Sequence, residues 1–188
     1  MNLTAIILCG GRSTRMGRDK SALPFGDETL LSRIVRITGT LADRSIVVGR
    51  RDQAHSTAHD AVEDQGPLAG MAAGLAASTT DLNIVVACDM PLVRPEVLQR
   101  LIDAIGDHDA CVADVDGRPS VLCGVYRSRL ATVAQSLLAS GERRAMVLLD
   151  AANVKRVDAA TLRDIDPDLD TFVSVDTADR YAWALTRS

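Results

Sequence analysis

Short apolar runs rich in β-branched residues alternate along this chain with amphipathic helical patterns, and this alternation restricts the possible folds more than any other feature. The predicted strands are Leu3–Leu8, Ser45–Val48, Asn83–Cys88, Ala110–Ala113, Val121–Tyr126, Val154–Val157 and Phe172–Val175. The predicted helices are Thr29–Leu41, Pro67–Ser78, Pro95–Ile105, Arg129–Ala139 and Ala178–Leu185. Strands separated by helices predict an α/β fold, with a mostly parallel sheet covered by helices on both faces.

Length and composition narrow the functional classes. The 188 residues fit one domain over 1–188, and 47% hydrophobic residues are enough for a core. A formal charge of −4 argues against nucleic-acid binding by bulk attraction. The chain opens directly on the first predicted strand, and its apolar runs are too short to cross a membrane. We therefore expect a cytoplasmic protein with no nucleic-acid or membrane partner.

Four widely spaced cysteines lie in or beside the apolar runs, at Cys9, Cys88, Cys111 and Cys123. They form no C-x-x-C pair, so we expect buried thiols rather than a zinc site. An acidic segment, Asp164–Asp170, contains a proline and is predicted to be a surface connection before the last strand.

A glycine-rich basic segment, L-C-G-G-R-S-T-R-M-G-R-D-K, runs from Leu8 at the end of the first predicted strand to Lys20. Glycine lets backbone N–H groups approach phosphate oxygens without a Cβ in the way, and the basic side chains neutralise phosphate charge. Lys20 is one of only two lysines in the chain, which favours a need for a compact ammonium at this position. The segment predicts a phosphate-binding loop, with a solvated basic turn as the alternative.

Spacing excludes two common phosphate loops. A Walker A loop ends in Gly-Lys-Ser/Thr, whereas Asp19 precedes Lys20 here. The dinucleotide fingerprint is G-x-G-x-x-G, whereas Gly10-Gly11 is followed by five residues and then Gly17. The remaining pattern, L-x-G-G-x-S-x-R-M-G-x-D-K, resembles the opening signature of the sugar-nucleotide-type nucleotidyltransferases, whose loop wraps the triphosphate of the incoming nucleotide.

Asp89 directly follows the predicted strand Asn83–Cys88, and Pro91 keeps that strand from continuing. Ligands in open α/β sheets bind beyond the carboxyl ends of the strands. A single carboxylate there suits Mg²⁺, which is usually held by one or two carboxylates together with substrate phosphates. The alternative is that Asp89 only caps the following turn.

Asp64, Gly66 and Gly70 surround the start of a predicted helix with small side chains. Such a surface lets a flat ring lie close to the backbone, and the helix N-terminus supplies N–H donors. The Asp64 carboxylate is suited to accept hydrogen bonds from a purine N–H edge, which favours guanine. Gly74, further along, is better explained by close helix–sheet packing.

A second basic pair follows a glycine in the segment Gly141-Glu142-Arg143-Arg144. Adjacent arginines are able to grip a phosphate bidentately, although such pairs are often solvated surface. Both interpretations stay open for this pair.

Together these segments resemble the molybdenum cofactor guanylyltransferases, which transfer GMP from GTP to the terminal phosphate of molybdopterin. The resemblance extends from the opening loop to Phe172–Thr177 and implies a single Rossmann-like three-layer domain of the nucleotide-diphospho-sugar transferase type. It implies in-line attack on the α-phosphorus of GTP, with Arg15, Lys20 and Asp89 in catalysis and Mg²⁺ on Asp89. The implied nucleotide contacts are Leu8, Cys9, Gly10, Gly11, Lys20, Gly49, Asp64, Gly66, Gly70 and Asp89. Gly17 also matches a position that the family uses.

The acceptor end departs from the family pattern. The resemblance implies acceptor contacts at Arg144, Ser174 and Asp176, but the last two stand where the family's F-V-N-V-N-T has asparagines. Gly49 stands where the family often has Asn, and Cys9 replaces the usual Ala. Any nucleotide contact at Gly49 is therefore expected through the backbone.

The implied substrates are GTP and molybdopterin, and the implied partners are molybdenum-insertion and molybdoenzyme maturation proteins. Three alternatives stay open: cytidylyl transfer to molybdopterin, guanylyl transfer to a phospholactate, and a non-catalytic nucleotide-binding or pterin-binding homologue. Nucleophilic catalysis is not expected, because the sequence presents no evident Ser-His or Cys-His pair and its three histidines lie in polar stretches.

Overall fold

The predicted alternation of strands and helices is present in the structure, a computed structural model that describes residues 2–9, 20–49, 57–59 and 66–187. The strands are β1 (Leu3–Leu8), β2 (Pro24–Phe25), β3 (Glu28–Thr29), β4 (Arg44–Gly49), β5 (Ala58–His59), β6 (Leu82–Ala87), β7 (Ala110–Val115), β8 (Arg118–Arg127) and β9 (Val154–Asp158). The helices are α1 (Leu30–Thr38), α2 (Pro67–Ala77), α3 (Pro95–Ala104), α4 (Leu130–Ala139), α5 (Met146–Asp150) and α6 (Ala178–Leu185).

Seven of these strands form one sheet in the order β5-β4-β1-β6-β8-β7-β9, while β2 and β3 pair as a separate hairpin. Strand β8 is antiparallel to both of its neighbours, and the other described pairings in this sheet are parallel. The mostly parallel sheet is therefore confirmed. All six residues of β1 are buried, as expected for a parallel strand covered on both faces.

The two faces of the sheet are packed by different helices, which confirms the three-layer α/β architecture. Ile7 of β1 faces a core that includes apolar residues of α1 and α3. Its neighbour Ile6 faces the opposite core, which includes residues of α2, α4 and α5. Successive side chains of a strand point to opposite faces, so a single buried strand supplies both cores.

Local chemistry explains where the first helices begin. Thr29 caps α1: its hydroxyl accepts from the Ser32 N–H at 3.1 Å, and the Ser32 hydroxyl accepts from the Thr29 N–H at 2.8 Å. Pro67 opens α2. The helix lies close to the sheet at Gly74, where a Cβ would come within 2.3 Å of Cγ2 of Ile6. The packing explanation for Gly74 is therefore confirmed.

The predicted strand Phe172–Val175 is wrong. Asp170–Phe172 is a 3₁₀ turn, and the next residues have no regular structure. The segment crosses the carboxyl edge of the sheet, where the Val175 N–H donates to the Asp89 carbonyl at 2.8 Å. Its apolar pattern arises because Val175 packs in a small core with Phe25 of the hairpin and Ala184 of α6.

The surface connection predicted for Asp164–Asp170 is also wrong in part, because Asp166 is completely buried. The buried thiols are confirmed at all four cysteines. Burial raises the pKa of the Cys111 thiol to about 11 and that of Cys123 to about 12. Within the described ranges, the helices are too short or too polar to span a membrane.

Candidate functional site

Three parallel strands end side by side at one edge of the sheet. Leu8 is in register with Val48 of β4 and with Ala87 of β6. Beyond the paired residues, the Cys9 N–H donates to the Val48 carbonyl at 2.7 Å, and the Cys88 N–H donates to the Leu8 carbonyl at 2.9 Å. The structure thus brings four predicted nucleotide-binding residues to one edge: Leu8, Cys9, Gly49 and Asp89.

Asp89 is the centre of this edge. Its Oδ2 atom accepts a hydrogen bond from Nζ of Lys20 at 3.1 Å and another from Oγ of Ser174 at 2.8 Å. The Asp89 side chain is 22% exposed and that of Lys20 is 20% exposed, so their ion pair is partly shielded from water. These two bonds come from residues 69 and 85 positions away in the sequence. The carboxylate therefore joins distant segments, which argues against the simple turn-capping role.

A short hydrophobic anchor holds Lys20 in place. The residue begins a 3₁₀ turn over Lys20–Ala22, and its carbonyl accepts from the Leu23 N–H at 3.1 Å. Leu23 and Phe25 are buried in the same small core as Val175. At Lys20 the segment is therefore docked rather than solvated.

Arg33 is a site-supporting residue that the sequence analysis missed. Its Nε donates to the Pro91 carbonyl at 2.6 Å, in the turn that follows Asp89. Its guanidinium lies 4.8 Å from the centre of the Phe25 ring and pairs with Glu28 at 3.2 Å. Hydrogen bonds and charge from Arg36 and then Arg33 hold the pKa of the Glu28 carboxyl below its ordinary value. The only sequence signal was an arginine beside the apolar stripe of α1.

The C-terminal segment places one predicted acceptor residue directly on Asp89. Ser174 makes the hydroxyl contact described above, whereas Asp176 is 40% exposed and pairs with Arg180 at 3.4 Å. The Arg180 guanidinium also donates to the Ser174 carbonyl at 3.4 Å. Ser174 and Asp176 are therefore on the same segment but in different surroundings.

A buried carboxylate fixes the start of that segment. Asp166 accepts from the N–H groups of Asp170, at 3.2 Å, and Thr171, at 2.9 Å. Nε of Arg94 lies 3.4 Å from the same side chain, and the Arg94 N–H donates to the Thr171 hydroxyl at 3.1 Å. A buried carboxylate needs such hydrogen-bond partners. Asp166 therefore holds the turn that ends at Thr171, three residues before Ser174. The sequence marked this region only as acidic.

A second cluster forms where Gly66 meets the Gly141–Arg144 loop. Gly66 has φ +80° and ψ 178°, and a Cβ there would lie 2.9 Å from the Arg143 carbonyl oxygen. Only glycine adopts this backbone conformation readily. Gly70 is buried one turn further into α2. The two glycines predicted to contact the nucleotide thus lie at, and just inside, the N-terminus of α2.

Glu142 organises the loop, which the sequence analysis did not anticipate. Its Oε1 accepts from the N–H groups of Arg143, at 2.8 Å, and Arg144, at 3.1 Å, and its Oε2 accepts from the Arg144 guanidinium at 2.9 Å. The side-chain bond from Arg144, followed by the backbone bonds, lowers the pKa of Glu142 to about 2. Arg143 instead donates to the Leu138 carbonyl at 2.9 Å. The two arginines therefore do not form one paired grip, and Arg144 alone is 77% exposed.

Several predicted residues lie outside the described part of the chain: Gly10, Gly11, Arg15, Gly17 and Asp64. Their roles stay predictions. Among the described residues, no group of three or more His, Cys, Asp or Glu side chains is placed to hold a metal ion. The Asp89 carboxylate and the Ser174 hydroxyl are hard oxygen donors, and the Lys20 ammonium shows that Oδ2 of Asp89 already binds a cation. This donor set fits a Mg²⁺ ion that takes its other ligands from substrate and water.

Comparison with known proteins agrees with this architecture. A protein from Mycobacterium avium named probable molybdenum cofactor guanylyltransferase is 34% identical over 168 residues, which cover 84% of this chain and 85% of that protein. A protein of the same name from Methanosarcina mazei is 29% identical over 195 residues, covering 94% and 87%. The crystal structure of molybdopterin-guanine dinucleotide biosynthesis protein A from Archaeoglobus fulgidus has the same fold, with a TM-score of 0.84, 24% identity and coverage of 98% and 97%.

Most of the chain matches the model of one protein family. Residues 5–178 match the family model of the MobA-like NTP transferase domain. That range includes the described strands of the sheet, apart from the first two residues of β1. It also includes Lys20, Asp89 and Ser174. The chain therefore belongs to the MobA-like NTP transferase family.

Proposed function

We propose that this chain transfers GMP from GTP to the phosphate of molybdopterin, giving molybdopterin guanine dinucleotide and pyrophosphate. Family membership and the names of the relatives support the reaction class and the substrates. The observation that carries the proposal is the convergence of Lys20 and Ser174 on the Asp89 carboxylate at the ligand edge of the sheet. A cation, a carboxylate and a hydroxyl at that edge suit a phosphate-rich reaction centre.

The reaction is an in-line displacement at phosphorus. An oxygen of the acceptor phosphate attacks the α-phosphorus of GTP and forms a new P–O bond. The bond between the α-phosphorus and the bridging oxygen breaks, and its electron pair leaves with pyrophosphate. A phosphate oxygen is already anionic at neutral pH, so the attack needs no protein nucleophile. The protein contributes through positioning and electrostatic stabilisation.

Lys20 has the charge and the position to act on the leaving group. Its ammonium, now on Asp89, neutralises the β- and γ-phosphates as charge develops during bond breaking. The N–H groups of Gly10 and Gly11 and the Arg15 side chain are proposed to share this work. The partial burial of Lys20 strengthens its interaction with phosphate relative to an exposed lysine.

We propose Mg²⁺ as the cofactor, with Asp89 as its protein ligand. When bound, Mg²⁺ would offset the negative charge of the triphosphate and orient it for attack. Asp89 suits this role because it is partly exposed and lies in the turn just beyond the buried strand β6, which ends at Ala87. Ser174 orients Asp89 by donating to Oδ2, and the firmly held turn at Asp166 fixes the chain that carries Ser174.

The remaining predicted residues divide between the two substrates. We assign the guanine end to Asp64, Gly66 and Gly70, because the N-terminus of α2 is closely packed and low in side-chain bulk. We assign the acceptor end to Ser174, Asp176 and Arg144. Arg144 supplies a positive charge, and its side chain is 77% exposed. We also infer action in the cytoplasm, with molybdenum-insertion and molybdoenzyme maturation proteins as partners.

In the direct test, the purified protein is incubated with molybdopterin and one of GTP, CTP or ATP, and the mass of the product is measured. Guanine dinucleotide is expected from GTP, with no comparable product from the other nucleotides. A cytosine dinucleotide formed from CTP would overturn the assignment of the base. A product formed from GTP and phospholactate, but not molybdopterin, would overturn the acceptor. No product from any pair would favour the non-catalytic homologue.

A further inference from the structure

The ion pair between Lys20 and Asp89 occupies the same oxygen that a metal ion needs. Nζ of Lys20 lies 3.1 Å from Oδ2, and the Ser174 hydroxyl lies 2.8 Å from that atom. Both charged side chains are only about one-fifth exposed, at 20% and 22%. In this state the carboxylate already has a cation.

We propose that Lys20 is a resident counter-ion that keeps divalent cations off Asp89 until a polyphosphate draws the lysine away. The inference rests on the proposed function for the identity of that polyphosphate, the triphosphate of the nucleotide. Metal and nucleotide then load onto the protein together, and the protein alone has little affinity for the metal.

The physical reason is charge competition. A divalent cation on Oδ2 stands within a few ångströms of the Lys20 ammonium, so the two repel each other. A triphosphate reverses the balance, because it offers Lys20 several anionic oxygens and offers the metal additional ligands. The exchange is cooperative and reciprocal: polyphosphate raises the affinity for metal, and metal raises the affinity for polyphosphate.

The local structure permits this exchange without unfolding. The Lys20 carbonyl is held by the Leu23 N–H at 3.1 Å, and Leu23 is buried in the core that also contains Phe25. The backbone is therefore anchored, while the ammonium sits at the end of a flexible four-carbon stem. A swing of the side chain is sufficient to release Oδ2.

The chain offers a matched control, because its only other lysine is Lys155. Lys155 is exposed on β9, which lies three strands away from β6 in the sheet order. Lys20→Met and Lys155→Met remove the same charge from the protein as a whole. A difference between them therefore reports position rather than net charge.

The first experiment measures Mn²⁺ binding to the protein without nucleotide, by electron paramagnetic resonance or calorimetry. Lys20→Met should bind Mn²⁺ on the order of 10-fold more tightly than wild type, whereas Lys155→Met should match wild type. Asp89→Asn should cancel the gain when added to Lys20→Met. Equal affinities for the two lysine variants, or a gain that survives Asp89→Asn, would overturn the proposal.

Thermal unfolding of each variant shows whether it is folded, and Lys20→Gln replaces Lys20→Met if the apolar side chain impairs folding. Lys20→Arg retains the cation and should keep the weak Mn²⁺ affinity of wild type. A gain in Lys20→Arg as large as in Lys20→Met would contradict the charge argument.

The second experiment follows the lysine itself. Labelling the lysine ε-carbon gives two nuclear magnetic resonance signals, and Lys155→Met assigns them. GTP added in the presence of a chelator should shift the Lys20 signal and leave that of Lys155 unchanged. The titration is repeated with Mg²⁺ in place of the chelator, where the same shift is expected. If GTP binds in either sample but the Lys20 signal does not move, the exchange is wrong; if GTP binds in neither sample, the proposed function fails while the Mn²⁺ result still stands.

Discussion

The Asp89 site, formed by Lys20, Asp89 and Ser174, and the Glu142 loop, Gly141–Arg144, both place a carboxylate against a cation. They differ in where the partners of the carboxylate come from. Asp89 is bound by Lys20 and Ser174, which lie 69 and 85 positions away. Glu142 is bound by the next two residues in the chain, Arg143 and Arg144. The first set of contacts joins three segments that are distant in sequence, whereas the second is a local loop motif. Chemistry that must join two substrates is better served by the first kind of site.

This contrast predicts that substitutions at Asp89 and Ser174 lower activity with little loss of stability, whereas Gly66→Ala and Glu142→Gln measurably change the stability of the protein. Four predictions test it, in order of expected effect.

Asp89→Asn should have the largest effect. It removes the charge that faces Lys20 and the proposed metal ligand, so pyrophosphate release should fall by about 100-fold or more. The matched control is Asp164→Asn, because Asp164 is 60% exposed and pairs with Arg100 on the surface. Near-normal turnover in folded Asp89→Asn would contradict a role for Asp89 in catalysis.

Gly66→Ala should be the most destabilising change near the Glu142 loop. The residue has φ +80°, and a Cβ would meet the Arg143 carbonyl oxygen at 2.9 Å. Backbone strain of this kind costs about 1–3 kcal/mol, measurable by denaturant unfolding. Gly106→Ala is the control, since Gly106 has φ +50° but a Cβ added there would meet nothing within 4 Å. Equal losses for both variants would show that the contact with Arg143 is unimportant.

Ser174→Ala should have a moderate effect on activity and little on stability. It removes one hydrogen bond to Asp89 Oδ2, and kcat should fall by about three- to tenfold. Ser136→Ala removes a comparable hydroxyl bond on the exposed side of α4 and should leave kcat unchanged. A loss confined to thermal stability would make Ser174 a purely structural residue.

Glu142→Gln should have the smallest effect, visible in the pH dependence of unfolding. The pKa of Glu142 is lowered from 4.5 to about 2, first by the bond from Arg144. The unfolded carboxyl therefore binds a proton before the folded one does as pH falls. The advantage of wild type over the variant should be complete above pH 4.5 and disappear as pH approaches 2. An unfolding difference independent of pH across that window would contradict the ionic explanation.

Much of the fold follows from pattern alone. Strand β1 begins and ends where its apolar run predicts, and α2 and α3 begin at the predicted prolines, Pro67 and Pro95. The failure at Phe172–Val175 has a tertiary cause, because Val175 packs against the hairpin and α6 instead of pairing in the sheet. Short elements such as α5 span too few residues to show a period.

The site was predictable where it depends on strand ends and less so where it depends on supporting contacts. Asp89 could be inferred because it directly follows the predicted strand Asn83–Cys88, and in the structure β6 ends close by, at Ala87. Arg33 could not be inferred, because its partner is the carbonyl of Pro91, which is distant in sequence. Asp166 could not be inferred, because its partners are backbone N–H groups in a turn without a recognisable sequence pattern. Glu142 was visible beside two arginines, but only the structure shows that it binds the backbone N–H of both and the guanidinium of Arg144.

The most direct test of the central claim follows the phosphorus that moves. Purified protein is given molybdopterin and GTP carrying a radioactive label at either the α- or the γ-phosphorus, and the product is separated and counted. Guanylyl transfer predicts that the α-label enters the product and that the γ-label leaves in pyrophosphate. Transfer of the γ-label, or retention of both labels in GTP, would contradict guanylyl transfer at the Asp89 site.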